Sequence, residues 1–241
     1  AGAVRFILER QFGYPVTAIR TATLAVADLS RFQVLILPEA GPAYAGALGP
    51  DGIRRLKDWV ANGGTLIGLG GTVGFLADPK VGLLAVAQEN LARPKDEKPK
   101  PETKPEPDNR VPGTLLKSEE EFAKAIQPER ALPDAVPGVL LRARTDPDHW
   151  PAAGAASTLQ VPVGGSAIFS PIRQDKGVNA ATFAGPDQLL AAGFLWEPNR
   201  AQLAYKPFVV VQPEGRGTVI GFTADPGFRA MADGLNILLL N

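Results

Sequence analysis

The sequence predicts a three-layer α/β domain whose sheet is mostly parallel with antiparallel additions. Three observations carry this. Two short apolar runs, FQVLIL (Phe32 to Leu37) and TLIGL (Thr65 to Leu69), flank a segment with helical spacing. A continuous apolar run of that length suits a parallel strand covered on both faces. The late sequence instead reads as hairpin strands, so antiparallel pairs are added to the parallel core.

The elements follow in order. Ala3 to Phe12 reads as a helix with Val4, Ile7 and Leu8 on one face and Gly13 as its stop. Pro15 to Ile19 reads as a short strand. After the FQVLIL strand, Ala40 to Gly49 is expected to be a glycine-rich loop. Pro50-Asp51-Gly52 then opens a helix with Ile53, Leu56, Trp59 and Val60 on one face, stopped at Asn62-Gly63-Gly64. This strand–helix–strand unit should cross over right-handedly.

Residues 92–110 break the pattern with RPKDEKPKPETKPEPDNR, which carries almost nothing apolar. Such a stretch has too little apolar surface to offset its ordering entropy, so it is expected to be a solvated, extended insertion in one 1–241 domain. A docking strip for a Pro-reading domain is the alternative.

Ser118 to Ile126 then reads as a helix, with Ser118 and Glu121 forming a capping box. Val139 to Ala143 is a strand. Ser157 to Val163 and Ser166 to Phe169 are expected to pair around Gly164-Gly165. Asn179 to Phe183 is a strand, and Gln188 to Leu195 is helical or irregular. Phe208 to Gln212 and Thr218 to Phe222 form a hairpin around Glu214-Gly215-Arg216-Gly217. Ala230 to Leu240 is a terminal helix with Leu235, Leu238 and Leu239 on its apolar face. Open α/β domains usually begin with a strand, whereas this sequence opens on a helix. A first strand is therefore expected upstream of Ala1.

Composition narrows the chemistry. The sequence has one histidine and no cysteine in 241 residues, which excludes disulfides, thiolate metal sites and a cysteine nucleophile. A catalytic zinc site rarely manages with one histidine, so no cofactor is expected in this chain. Lys+Arg and Asp+Glu both number 25, so no global field favours nucleic acid. No apolar run is long enough to span a bilayer.

Three clusters remain as candidate sites. His149 lies in Thr145-Asp146-Pro147-Asp148-His149-Trp150-Pro151, where Asp146 or Asp148 could orient the imidazole as in part of a catalytic triad. The nearest serine is Ser157. A histidine packed in a proline-bounded turn is the structural alternative. The second cluster is Gly70-Gly71-Thr72-Val73-Gly74, directly after TLIGL, with Glu39 after FQVLIL at the same expected sheet edge. Ligands of open α/β sheets bind at the carboxyl ends of strands, and a nucleophile elbow would place Gly71 or Thr72 at the exposed position. That pattern fits neither GxGxxG nor a phosphate-binding loop. It serves equally as a tight turn needing glycine's backbone freedom. In the third cluster, Asp225 is expected to N-cap the last helix, with Arg229 as a possible ion-pair partner.

The stretches DLSRFQVLILPE, GIRRLKDWVANGGTLIGLGG, DPDHW and EGRGTVIGFTADPGFRAMADGLNILLLN resemble the class I glutamine amidotransferase-like domain. In particular they resemble the version at the carboxyl end of large bacterial zinc carboxypeptidase-like proteins of the carboxypeptidase A/T clan. The GGTLIGLGG portion is shared more widely, including with trehalose-utilisation-like domains. The resemblance implies a flavodoxin-like fold whose first strand precedes the helix at Ala3. Amidotransferases keep a cysteine at the elbow, paired with histidine and glutamate. Here Gly71-Thr72 stands there, so the glutaminase mechanism does not carry over. The resemblance further implies a zinc peptidase domain upstream, since no His-x-x-Glu occurs in this chain, and a periplasmic or secreted setting. The leading expectation is thus a non-catalytic accessory domain that packs on that peptidase or presents its substrate. A small hydrolase using His149, or a sugar- or peptide-binding module using Glu39 and the Gly70–Gly74 loop, are the alternatives.

Overall fold

A computed structural model describes residues 1–92, 115, 117–125 and 131–241. The expected Pro/Lys/Glu-rich insertion falls almost wholly outside these residues. The strands are β1 (Val34–Leu37), β2 (Thr65–Leu69), β3 (Val136–Thr145), β4 (Thr158–Gly165), β5 (Val178–Phe183), β6 (Leu190–Ala192), β7 (Pro207–Glu214) and β8 (Gly217–Phe222). The α-helices are α1 (Gly2–Phe6), α2 (Thr21–Leu24), α3 (Ala43–Ala61), α4 (Thr72–Ala77), α5 (Glu119–Ala125), α6 (Pro186–Leu189), α7 (Glu197–Leu203) and α8 (Asp233–Leu240).

One sheet runs in the order β1-β2-β8-β7-β5-β3-β4, with β6 also paired to β3. The parallel core is β1, β2 and β8, with Val34 opposite Thr65 and Thr65 opposite Thr218. The remaining pairings are antiparallel. Following these orientations across the sheet, all strands except β3 and β7 run the same way.

Side-chain alternation explains why the parallel strands read as unbroken apolar runs. Leu35, Leu37, Leu66, Val210 and Val219 enter one buried cluster with Leu56 and Val60 of α3 and Val73 and Leu76 of α4. Ile67, Leu69, Val209, Val211, Ile220 and Phe222 enter the other, with Val4 of α1 and Leu235, Leu238 and Leu239 of α8. Each central strand therefore has both faces covered and no polar face to show. The apolar face expected for the last helix is buried as its spacing indicates.

Several expectations are corrected. Pro15 to Ile19 forms no strand, because nothing among the described residues pairs with it and an extended segment without ladder bonds has no strand to join. Ala40 to Gly49 is not a loop throughout. Helix begins at Ala43 and breaks at Gly49, whose φ of 60° precedes Pro50. Residues 166–169 do not pair with β4. β4 pairs with β3, and Phe169 instead bridges Gln88. Gln188 to Leu195 resolves into the end of α6 and the short strand β6. The terminal helix starts at Asp233, after a 3-10 turn at Phe228–Ala230. The Ser118 capping box holds in outline: its Oγ accepts from Glu121 N at 3.1 Å, while the Glu121 carboxylate accepts from Lys117 N at 2.7 Å.

The Glu214–Gly217 turn is built against α3. The Arg216 amide donates to Ala61 O at 2.9 Å and its guanidinium to Asn62 O at 3.1 Å, which satisfies carbonyls left open at the helix end. A Cβ on Gly217 would lie 2.0 Å from Val60 O. Glycine is required there by close approach of two backbones. Among the described residues, no helix is long and apolar enough to cross a membrane.

Candidate functional site at the carboxyl edge of the parallel strands

The loops after β1, β2 and β8 leave the same edge of the sheet. Gly70 N donates to Phe222 O at 2.7 Å, which holds the end of β2 against the end of β8. Gly70 takes a φ of +58° and turns the chain sharply into α4. Glu39 lies across this turn. Its Oε2 accepts from Gly71 N at 2.6 Å, and a Cβ on Gly70 would fall 1.6 Å from that oxygen. Glycine at 70 thus serves two needs, a left-handed backbone and room for a carboxylate.

Thr72 is fully buried. Its hydroxyl donates to Pro38 O at 2.8 Å and accepts from Ala40 N at 3.3 Å. Tyr44 donates to the same Pro38 carbonyl at 3.1 Å. Burial pushes the Tyr44 phenol above its ordinary pKa, and the Glu39 charge adds to the shift. Expected at an exposed elbow position, Thr72 is instead a tie between two loops. Its hydroxyl faces inward because the turn at Gly70-Gly71 puts its side chain under the β1 loop. Glu39, Gly70, Gly71 and Thr72 are therefore brought together, and the only side-chain functional group presented to solvent among them is the Glu39 carboxylate.

The His149 cluster is separate. It follows β3, which runs opposite to β1, β2 and β8. His149 Nε2 lies 4.0 Å from Asp146 Oδ2, beyond hydrogen-bond reach. The other Asp146 oxygen accepts from Asp148 N at 3.1 Å, so Asp146 closes its own turn. His149 occupies the N-cap position of a 3-10 turn at Trp150–Ala152. Ser157 is exposed, and its carbonyl accepts from Thr145 N. No hydroxyl is hydrogen-bonded to the imidazole among the described residues.

At the end of β8, Asp225 Oδ1 accepts from Gly227 N at 2.9 Å. It shapes the turn rather than capping α8, which begins eight residues later. Arg229 does not pair with it. The guanidinium sits 5.2 Å from the Phe228 ring centroid, and Arg229 and Ala230 both hold a φ of +52°.

The chain matches no protein-family model and no curated protein. Solved structures do match. A protein described as thua-like from Parabacteroides merdae ATCC 43184 superposes with a TM-score of 0.54 at 12% identity, over 98% of this chain and 81% of that one. A cytoplasmic protein from Salmonella typhimurium LT2 gives a TM-score of 0.51 at 14% identity, over 93% and 75%. These neighbours have a class I glutamine amidotransferase-like α/β fold, and the chain shares that fold with them. At these identities the likeness concerns the fold alone. In this chain the turn after β2 carries no thiol, and its Gly71 amide donates to a carboxylate from the neighbouring loop.

Proposed function

We propose that this chain is a non-catalytic module of three-layer, flavodoxin-like amidotransferase architecture that acts beside a zinc carboxypeptidase-like domain of the same protein, in a periplasmic or secreted setting. The observation that carries the non-catalytic part is the Gly70–Gly71–Thr72 turn. Its amide is taken by Glu39, its hydroxyl is buried and committed to Pro38 O, and it contains no thiol. A serine or threonine nucleophile needs a base within hydrogen-bond reach, and His149 leaves the sheet in the opposite direction. The peptidase association is supported by the resemblance of the quoted stretches, and packing on that domain or presenting its substrate is the role it suggests.

Two measurements test the parts separately. The chain and its His149→Ala variant are assayed against ester and amide substrates, with no turnover above buffer expected from either. Turnover abolished by His149→Ala would overturn the non-catalytic reading in favour of a small hydrolase. The peptidase association is tested by the parent sequence. A parent lacking an upstream His-x-x-Glu domain removes that part and leaves the first intact.

A second reading is favoured by the exposure of Glu39 at the strand edge where ligands of open sheets bind. On this reading the corner holds a sugar or peptide through Glu39 and the Gly70–Gly71 turn. It predicts a thermal shift with a member of a sugar and peptide panel that Glu39→Ala abolishes. No shift with any member counts against it.

A further inference from the structure

β3 carries two arginines that the site above does not use. Arg142 and Arg144 alternate with Leu141 and Ala143, which are fully buried in the core, so both guanidinium groups point to the outer face of the sheet. Two residues apart on one strand face, they stand about 7 Å from each other. Neither has an acidic partner among the described residues, in a chain that holds 25 carboxylate side chains.

Both side chains are nonetheless held in place. Arg142 Nη1 donates to Gln188 O at 2.9 Å and Leu190 O at 2.7 Å, where α6 passes into β6. Arg144 Nη2 donates to the Gln188 side-chain carbonyl. A guanidinium has five N–H donors. These bonds leave Nε and Nη2 of Arg142, and Nε and Nη1 of Arg144, without a protein acceptor among the described residues. Thr158 stands directly across the ladder from Arg144 on β4 and adds a hydroxyl. Arg142, Arg144, Thr158, Ala184 and Gln188 line a cavity of about 330 Å³ with no acidic residue in its wall.

We propose that this cavity is an oxyanion site for a phosphate group, either free or as a monoester of a small molecule. Two forked cations fixed by neutral carbonyls keep their full charge, because no carboxylate of the described residues neutralises them. Their fork geometry matches phosphate oxygens in bidentate fashion. Together with a hydroxyl they supply more donors than the two oxygens of a carboxylate can use, whereas a phosphate brings three or four. The inference is independent of the proposed function, since it lies on β3 and uses neither Glu39 nor His149.

The test is a titration of the 241-residue chain, followed by amide chemical shifts at constant ionic strength. Inorganic phosphate, glycerol phosphate and succinate are the three probes. Saturable shifts around residues 142, 144, 158 and 188 are expected with phosphate or its ester. Tighter binding of the ester identifies a phosphorylated small molecule, and equal affinity identifies free phosphate. Arg144→Gln is expected to weaken binding at least tenfold while leaving the rest of the spectrum in place, and Arg144→Lys to restore it only in part. Arg142 is left intact because it also holds the α6–β6 junction. No saturable shift, binding unchanged in Arg144→Gln, or succinate binding as tightly as phosphate would each overturn the assignment. Should Arg144→Gln disturb the fold, Thr158→Val gives the same reading from the other side of the cavity.

Discussion

The Glu39–Gly70 corner permits a quantitative test of the site geometry through a double-mutant cycle. Replacing Gly70 by Ala places a Cβ at a residue with φ +58°, which costs about 1–2 kcal/mol for an L-residue in the left-handed region. The same Cβ would sit 1.6 Å from Glu39 Oε2. That oxygen is the far end of an exposed, flexible side chain, so Glu39 swings into solvent instead of the backbone moving. Its bond to Gly71 N is then lost. A charge-assisted bond of this kind is worth about 1.5–3 kcal/mol when buried, and solvent exposure reduces it to roughly 1 kcal/mol. Gly70→Ala should therefore cost about 2–3 kcal/mol and Glu39→Ala about 1 kcal/mol. The double variant should cost no more than Gly70→Ala alone, because the bond is already gone, giving a coupling of about 1 kcal/mol. Denaturant unfolding at fixed pH measures all four corners. For a chain of this size each kcal/mol corresponds to roughly 2–4 °C in Tm, so scanning calorimetry gives an independent check. Strictly additive costs would refute the close approach of the carboxylate to Gly70.

Other outcomes follow from the same structure. Thr72→Val removes a fully buried hydroxyl that serves both Pro38 O and Ala40 N, so it should destabilise by about 1–3 kcal/mol, with Thr72→Ser recovering most of the loss in the same unfolding assay. Gly217→Ala drives a Cβ against Val60 O and Gly64 O, two backbone atoms with no side-chain freedom. A loss of about 3 kcal/mol is expected, or failure to accumulate folded protein on expression. Tyr44 tests the electrostatics of the corner. Its folded-state pKa is raised above 10.0 by burial, so its contribution to stability is complete below that value and is lost as pH rises through the folded pKa. Between about pH 8 and pH 11, wild type should lose more stability than Tyr44→Phe, and equal losses would remove the assigned shift.

How much of this could be read from the chain depends on range. The parallel core was legible because burial of a strand on both faces leaves a continuous apolar run, and FQVLIL and TLIGL are such runs. The terminal helix was legible from the spacing of Leu235, Leu238 and Leu239, and the β7–β8 hairpin from its glycine-rich turn. Strand order and partner choice were not. Ser166 to Phe169 had the composition of a strand but lost β4 to β3, since ladder bonds go to whichever segment the tertiary fold brings alongside. Pro15 to Ile19 failed for the complementary reason, having suitable residues but no neighbour among the described residues to accept its bonds. The 3.6-residue period of the helix that starts at Ala43 was obscured by Gly46, Gly49 and Pro50.

The candidate site divides along the same line. From the sequence came the inventory: no thiol, one histidine, and Glu39 and Gly70-Gly71 each placed directly after a strand of the parallel core. Composition and local order are properties of the chain itself, so no folding is needed to read them. The tertiary structure decided how that inventory is arranged. It folded the Glu39 carboxylate over the Gly71 amide, turned Thr72 inward to Pro38, sent His149 off in the opposite direction, and set Arg142 and Arg144 beside Gln188 with no acid among the described residues pairing with them. The contacts among these join residues far apart in sequence, with a separation of 32 in the first case. Their geometry is fixed by the register and direction of the strands that carry them, and no local pattern in the chain encodes it.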